Sequence, residues 1–136
     1  FDYTAHQMLR LKSRAQFSTY NINGKTTNGF AIMYDLICNL GKFKLTMRYA
    51  LFDTEDYDNR QYVYENDVWL AFSLAAYYGS GIRKIVVCSY KLNKHVNLSI
   101  RYAHTRYQHQ ESIGSSVDEI EGDTKNDIKA QLVVRF

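Results

Sequence analysis

The stretch DIKAQLVVRF, residues 127–136, decides the fold. Every second residue in it is apolar, and the residues between them are polar except for Val133. Successive side chains of a β-strand point to opposite faces, so this period of two predicts a strand with one apolar and one charged face. The apolar positions are Ile128, Ala130, Leu132, Val134 and Phe136.

Five earlier segments repeat this alternation. In one of them, Leu45 and Met47 alternate with Lys44 and Thr46. Together with the closing stretch, these segments predict six strands of about the length that a tilted membrane-spanning strand requires. The five segments are residues 9–17, 30–40, 43–51, 82–92 and 96–102.

The links between these segments alternate strictly between long and short. Tight turns are expected around Gly41 and at Asn93-Lys94, and every other link is longer. Short periplasmic turns and longer extracellular loops are typical of outer-membrane barrels. We therefore predict extracellular loops near residues 19–28, 54–80 and 108–123.

Composition excludes several classes of protein. No apolar run approaches the roughly 18 residues of a membrane helix. An aromatic content of 15% argues against a disordered chain, and two cysteines in 136 residues argue against a disulfide scaffold. A net charge of +3 is too small to indicate nucleic acid as a partner. We expect an all-β protein, an antiparallel up-and-down transmembrane β-barrel.

Alternation also fits a soluble, lipocalin-like barrel that carries a ligand. Such a barrel turns its apolar face inward and its charges outward, whereas a membrane barrel does the opposite. The two interpretations therefore differ in the direction of named side chains. In the membrane barrel, Leu98, Leu132 and Val134 point outward, while Arg101 and Arg135 point inward.

The closing stretch resembles the C-terminal assembly signal of Gram-negative outer-membrane proteins. In that family the alternate apolar positions and the final Phe136 are read by the barrel assembly machinery. Further segments look like the C-terminal region of large barrel proteins of the Bacteroidota, some of which carry an N-terminal helix-hairpin-helix segment. This resemblance implies a bacterial outer-membrane location and a barrel fold, and it implies no activity. The further segments are residues 50–57, 64–68, 76–81 and 118–125.

Six strands are too few to close, because the smallest membrane barrels have eight. We therefore expect residues 1–136 to be the C-terminal portion of a larger barrel, with additional strands from the same protein or another subunit. Residues 60–78 could supply two strands to a self-contained barrel, but residues 60–65 are short for a span. A folded extracellular hairpin or an inward-dipping loop is the preferred interpretation.

The polar face of the predicted strands is strongly basic, with Asp35 and Asp127 as its acids. A lumen with this excess of cations should attract anions, unless the bases pair with acids on absent strands or on a plug. Eleven of the fourteen acids lie in residues 53–67 and 111–123, where acidic extracellular loops could bind divalent cations that bridge lipopolysaccharide. The expected lumen-facing bases are Arg10, Lys12, Arg14, Lys44, Arg48, Arg83, Arg101 and Arg135, with Lys91 and Lys129 on the same parity.

No catalytic or metal-binding constellation is visible in the sequence, and no cofactor is expected. A barrel-embedded hydrolase with a rim site at His104 is an alternative, but Ser99 lies on the opposite parity and no spacing singles out an acid. The acidic run at residues 53–58 lacks the glycine and the final glutamate of an EF-hand. The expected role is therefore non-enzymatic, in passage, secretion or assembly at the bacterial surface.

Overall fold

The computed structural model describes residues 1–6, 8–108, 112–113 and 120–136, and its regular elements are all β-strands. No helix in this part of the chain is long and apolar enough to cross a membrane. In chain order the strands are β1 (Asp2–His6), β2 (Leu9–Ile22), β3 (Lys25–Leu40), β4 (Phe43–Thr54), β5 (Gln61–Glu65), β6 (Ser73–Tyr77), β7 (Ser80–Lys91), β8 (Val96–Gln108), β9 (Ser112–Ile113), β10 (Ile120–Glu121) and β11 (Thr124–Val134).

Seven of these strands form one antiparallel sheet in the order β1-β2-β3-β4-β7-β8-β11. The prediction of an all-β, antiparallel, up-and-down arrangement is therefore confirmed. The sheet contains the six expected strands and adds β1 at one edge. Within the described residues it does not close into a barrel, because β1 and β11 are its two free edges.

Residues 19–28 do not form the long link that we expected. β2 continues to Ile22 and β3 begins at Lys25, so only Asn23 and Gly24 connect them. Both turn residues have positive φ, 52° and 80°, as a two-residue type I′ turn requires. Asn-Gly is the preferred dipeptide for that turn. Mostly polar cross-strand pairs extend the hairpin beyond Phe17 and Phe30. The alternation of apolar residues ends there, so it did not predict this part of β2 and β3.

Residues 54–80 contain a hairpin formed by β5 and β6 (the inner hairpin, residues 61–77). These two strands pair with each other in a separate sheet, so they do not extend the main sheet towards eight strands. The remaining two-stranded sheet, β9 with β10, belongs to the third expected link. Residues 109–111 and 114–119 of that link lie outside the described residues.

The two faces of the main sheet have opposite environments. Apolar side chains of the predicted alternation are exposed on one face (the outer face), as at Leu98, Leu132 and Val134. The other face (the inner face) is covered by the inner hairpin, and its charged Arg101 is 1% exposed. The buried apolar cluster lies between the inner hairpin and the inner face, and it consists of Ala31, Met33, Ala50, Phe52, Val63, Tyr77 and Tyr107.

Small residues on the inner face create the room for this arrangement. A Cβ at Gly29 would lie 2.7 Å from the Asn59 carbonyl oxygen and 3.0 Å from the Thr54 Cγ2 atom. Ala31 continues the same row along β3 and is fully buried. The segment that leads into the inner hairpin can therefore lie directly on the β3 backbone.

We expect Gly29→Ala to lower the free energy of unfolding by about 1–3 kcal/mol, because the added methyl group would push the buried Asn59 backbone off β3. Urea titration measures this change. Lys25→Ala, an exposed substitution on the same strand, is the control and should have little effect. Equal stability of the two variants would contradict close contact at Gly29.

Candidate functional site

A buried carboxylate, Glu65, forms the centre of the inner face. Its two oxygens accept a bidentate pair of hydrogen bonds from Arg83, at 2.6 and 2.9 Å, and one from Arg101 at 2.5 Å. The side chains of Glu65 and Arg101 are each 1% exposed. Two guanidinium groups of the main sheet thus share one carboxylate of the inner hairpin. Arg101 also lies 3.8 Å from Asp67 and 3.3 Å from Asp127, which supply further negative charge.

Tyr77 completes the environment of this carboxylate from the opposite strand of the inner hairpin. Its hydroxyl group donates to Glu65 Oε1 at 2.8 Å. Burial and the adjacent negative charge raise the pKa of the Tyr77 phenol, so the hydroxyl group remains protonated and keeps donating. Tyr77 also packs its ring 5.1 Å from that of Phe52, which ties the charged centre to the apolar cluster.

Asp67 forms a second buried acidic centre near the tip of the inner hairpin. It accepts hydrogen bonds from Lys129 Nζ at 2.7 Å, from the Val68 amide at 2.7 Å and from the Ser73 hydroxyl group. Burial by itself raises the pKa of Asp67, but these hydrogen bonds and the charge of Arg101 outweigh it and hold the pKa below its usual range. Asp67 therefore stays charged and attaches the tip of the inner hairpin to Lys129 of β11.

Arg48 connects the main sheet to the backbone of the inner hairpin. It forms a bidentate pair with Asp35 on the adjacent strand, at 2.6 and 2.7 Å. Its remaining Nη1 group donates to the Tyr64 carbonyl oxygen at 2.7 Å. The charge of Arg48 is thus paired within the sheet, while its third hydrogen bond attaches β5 to β4.

Polar contacts fix the base of the inner hairpin. The Asn59 side chain is fully buried and donates to Thr27 Oγ1 at 2.7 Å. The Gln61 amide donates to Ser18 Oγ at 2.6 Å. These bonds join the base to β2 and β3.

The tip of the inner hairpin contacts the far end of β11. The Gln131 amide donates to the Trp69 carbonyl oxygen at 2.7 Å. The Arg135 guanidinium group lies 4.8 Å from the centre of the Trp69 ring, within range of a cation–π interaction. The inner hairpin is therefore fixed along its whole length.

The predicted lumen-facing bases divide into two groups. Arg48, Arg83 and Arg101 come together under the inner hairpin, where acids neutralise each of them. The other five lie on the same parity outside this cluster. Arg10 pairs with Asp2, Lys12 lies 3.9 Å from Asp2, and Arg135 stacks on Trp69. Arg14 and Lys44 form no ion pair within the described residues.

Lys12 and Arg14 line an open groove of about 590 Å³ beside the edge of the inner hairpin, together with Met33, Asp35 and Arg48. The bases of this groove exceed its acids only slightly, because Asp2 and Asp35 also line it. Strong attraction of anions therefore does not follow from the basic parity alone.

Two of the acids that contact these bases are residues that the sequence did not place on this face, whereas Asp35 was expected there. Glu65 and Asp67 belong to the acidic run expected to face outward, but the structure turns both onto the inner face. The alternation within residues 61–65 is the sequence feature that could have placed Glu65 on the inner face. Gln61, Val63 and Glu65 are buried, and the two tyrosines between them are exposed.

The residues expected to form a C-terminal assembly signal lie on the outer face. Ile128 is 71% exposed and Leu132 is 63% exposed. Ala130, Val134 and Phe136 are exposed as well. The alternation of the sequence is thus reproduced as an apolar stripe without intramolecular cover.

His104 does not join a catalytic arrangement in the described part of the chain. Its Nδ1 atom lies 2.9 Å from the Asn126 amide oxygen, and no carboxylate or serine hydroxyl group is among its hydrogen-bond partners there. Ser99 is buried on the inner face, where its Oγ atom lies 2.9 Å from that of Ser89. Among the described residues no group of three or more His, Cys, Asp or Glu side chains could hold a metal ion, which includes the run at residues 53–58.

No protein-family model, curated protein or solved structure matches this chain.

Removing the charge of Glu65 should weaken the attachment of the inner hairpin. Glu65→Gln keeps the shape of the side chain but leaves Arg83 and Arg101 buried without their main counter-charge, which costs about 3–5 kcal/mol in comparable buried pairs. Urea unfolding followed by the fluorescence of Trp69, the sole tryptophan, measures the loss. Asp58→Asn, an exposed acid on the same segment, should leave stability unchanged. Similar effects of the two changes would argue against a central role for Glu65.

The Asp67 contacts should make stability dependent on pH in the acid range. Because the folded-state pKa of Asp67 is lowered from 3.8, its contribution is present above that value and is lost as the pH falls through the folded-state pKa. We expect the difference in unfolding free energy between the wild type and Asp67→Asn to be largest near neutral pH and to shrink below about pH 4. A difference that stays constant across this range would show that Asp67 carries no such linkage.

Proposed function

We propose that this chain is an integral outer-membrane β-barrel segment whose interior is occupied by the inner hairpin, acting in passage, secretion or assembly at the bacterial surface. The observation that carries the proposal is the inverted distribution of side chains. Leu98, Leu132 and Val134 are 39%, 63% and 47% exposed, while Arg101 on the covered face is 1% exposed. In water this exposes a large apolar surface, and in a bilayer the same surface faces hydrocarbon.

The apolar surface has the dimensions of a membrane band. On most strands of the main sheet about five alternate positions are apolar, which corresponds to about 27 Å of strand at about 3.4 Å per residue. With the usual tilt of about 40°, this length spans about 21 Å across the membrane, close to the roughly 25 Å band of outer-membrane barrels. The band fits a bilayer of ordinary outer-membrane thickness.

The band also runs obliquely across the strand register. Tyr34 and Tyr49 on β3 and β4 are directly aligned with Lys84, His104 and Asn126 on β7, β8 and β11. The band ends at Tyr102 and Ile128 on β8 and β11, two rows before Leu51 on β4. At the end with the short turns it extends one row beyond Phe43 on these later strands, to Val96 and Val134. An oblique band is expected when strands are tilted and staggered relative to the membrane plane.

Aromatic side chains flank this band at both ends. Phe17 and Phe30 contact each other across β2 and β3, with ring centroids 6.2 Å apart. Phe43 and Tyr90 are register partners on β4 and β7 at the end with the short turns. Girdles of aromatic residues at both interfaces are typical of membrane barrels, so the distribution supports the same orientation.

The open edges require further strands. β1 and β11 would each expose a row of unpaired amide and carbonyl groups to lipid, at several kcal/mol per group. We propose that strands from the same protein or from another subunit pair with these edges. The inner hairpin then lies within the closed wall as part of a plug.

This plug changes the expected behaviour of the lumen. Arg48 pairs with Asp35, Arg83 and Arg101 share Glu65, and Arg101 also contacts Asp127. These bases therefore do not provide an anion-selective ring. A filled and neutral interior favours a plugged or gated wall over an open pore. Asp53, Glu55 and Asp58 are exposed at the end with the long links. No group of three acids among the described residues forms a metal site by itself, so a divalent cation there would need lipopolysaccharide phosphates as its other ligands.

The two alternatives predict different arrangements. A soluble lipocalin-like carrier covers its apolar face, which here is the uncovered one. A hydrolase with a rim site needs an acid or a serine next to His104, whose ring instead contacts Asn126. The membrane barrel is consistent with both observations.

The native cysteines provide a test. Cys38 and Cys88 are free, partly exposed and directly aligned with Leu45 on the outer face. In phosphatidylcholine vesicles we expect both thiols to resist a charged, membrane-impermeant maleimide and to react once the protein is unfolded. Asn93→Cys, in a short turn, should react in both conditions. Full labelling of Cys38 and Cys88 in the folded protein with vesicles present would refute the proposed orientation.

A further inference from the structure

The outer face contains an apolar groove of about 330 Å³ that ends at a cation. The groove runs across β3, β4 and β7 between two register rows. Tyr34 and Tyr49 form one wall, and Leu36 and Met47 form the other. Lys84 lies at the β7 end of the first row, directly opposite Tyr49. A groove of this kind has an apolar floor and a polar end.

Two further basic side chains continue from that end. His104 is the register partner of Lys84 on β8, and Arg106 follows on the same face of that strand. Lys84 is exposed and forms no ion pair within the described residues, while Arg106 is 68% exposed and pairs with Asp123 at 3.1 Å. Aligned partners on adjacent antiparallel strands lie about 5 Å apart at Cβ, so one anionic group could contact Lys84 and His104 together.

We propose that this groove and the basic cluster Lys84, His104 and Arg106 bind a phosphorylated, anionic lipid of the outer leaflet. An acyl chain lies in the groove between the two rows, and the phosphate group contacts Lys84 and His104, with Arg106 beyond them. This inference rests on the proposed membrane orientation, and it assigns a lipid-binding site to the outer face.

Charge complementarity and position identify this occupant. Lys84 is exposed on the groove side, whereas the side chain of Arg48, which also lines the groove, pairs with Asp35 on the inner face. A cation that faces hydrocarbon needs a counter-ion or water. The cluster lies at the edge of the apolar band, where phosphate groups of lipids are found, and Tyr49 and Tyr102 flank it as interfacial aromatic residues do. Tyr102 and His104 both contact the Asn126 amide oxygen, which orders this part of the surface.

Spin-labelled lipids measure the site directly. The full chain is inserted into phosphatidylcholine vesicles that contain either spin-labelled phosphatidylglycerol or spin-labelled phosphatidylcholine, and the motionally restricted fraction is compared. We expect the wild type to prefer phosphatidylglycerol. Lys84→Gln with Arg106→Gln should lower that preference by about fivefold for each charge removed, the factor that one basic residue contributes near an anionic lipid surface.

A matched variant removes two charges elsewhere. Lys42→Gln with Lys94→Gln, in the two short turns, should keep the preference of the wild type. Leu36→Trp, which fills the groove and leaves the cations in place, should reduce the restricted fraction of phosphatidylglycerol. Retention of the preference by both the Lys84/Arg106 variant and Leu36→Trp would overturn the lipid site.

Two controls separate the possible failures. If millimolar inorganic phosphate displaces the labelled lipid, the cluster is a site for free anions and the lipid proposal is wrong. If the protein, together with the strands that complete its wall, does not float with pure phosphatidylcholine vesicles, the membrane orientation itself fails. A chain that floats without any preference for phosphatidylglycerol leaves the membrane orientation standing and refutes only the lipid site.

Discussion

The arrangement of the whole chain depends on how the charges of one sheet face are neutralised. Arg83 and Arg101 point into a buried space, and an isolated charge cannot remain there because the loss of hydration is too costly. Arg101 also contacts Asp127 of the sheet. From the hairpin, Glu65 pairs with both guanidinium groups and Asp67 pairs with Lys129. Without these two acids the inner hairpin could not lie on the sheet. The position of the hairpin therefore follows from electrostatics as much as from the packing of Val63 and Tyr77.

The same constraint explains why the apolar side chains are left on the outside. In a soluble sheet the apolar face would attract the hairpin, since burial of apolar area is the dominant favourable term in water. Here the hairpin covers the charged face, and Ala31, Ala50 and Gly29 make that face shallow enough to receive it. Covering apolar area lowers the free energy only where that area would otherwise contact water. The uncovered apolar face therefore supports the proposed membrane setting.

Periodicity predicted most of the main sheet and little of the interior. Strands with a regular apolar face, such as residues 43–51 within β4, were identified because a period of two leaves few alternatives. The extension of β2 and β3 to Asn23-Gly24 was missed because their outer ends are polar, although the dipeptide is itself a turn signal. Glu65 and Asp67 were assigned to a solvated loop, because an acidic run is ambiguous until the position of its counter-charges is known.

The contacts of the inner hairpin are unevenly distributed, and this bears on how an interior of this kind could open. Its base is held by neutral hydrogen bonds from Asn59 and Gln61, whereas its tip is held by the Lys129–Asp67 pair and the stacking of Arg135 on Trp69. The Lys129 side chain is 39% exposed, so a competing ion can reach its pair with Asp67. The Asn59–Thr27 hydrogen bond at the base is buried and closed to solvent. The tip is therefore the end from which displacement would begin, with the base as the hinge.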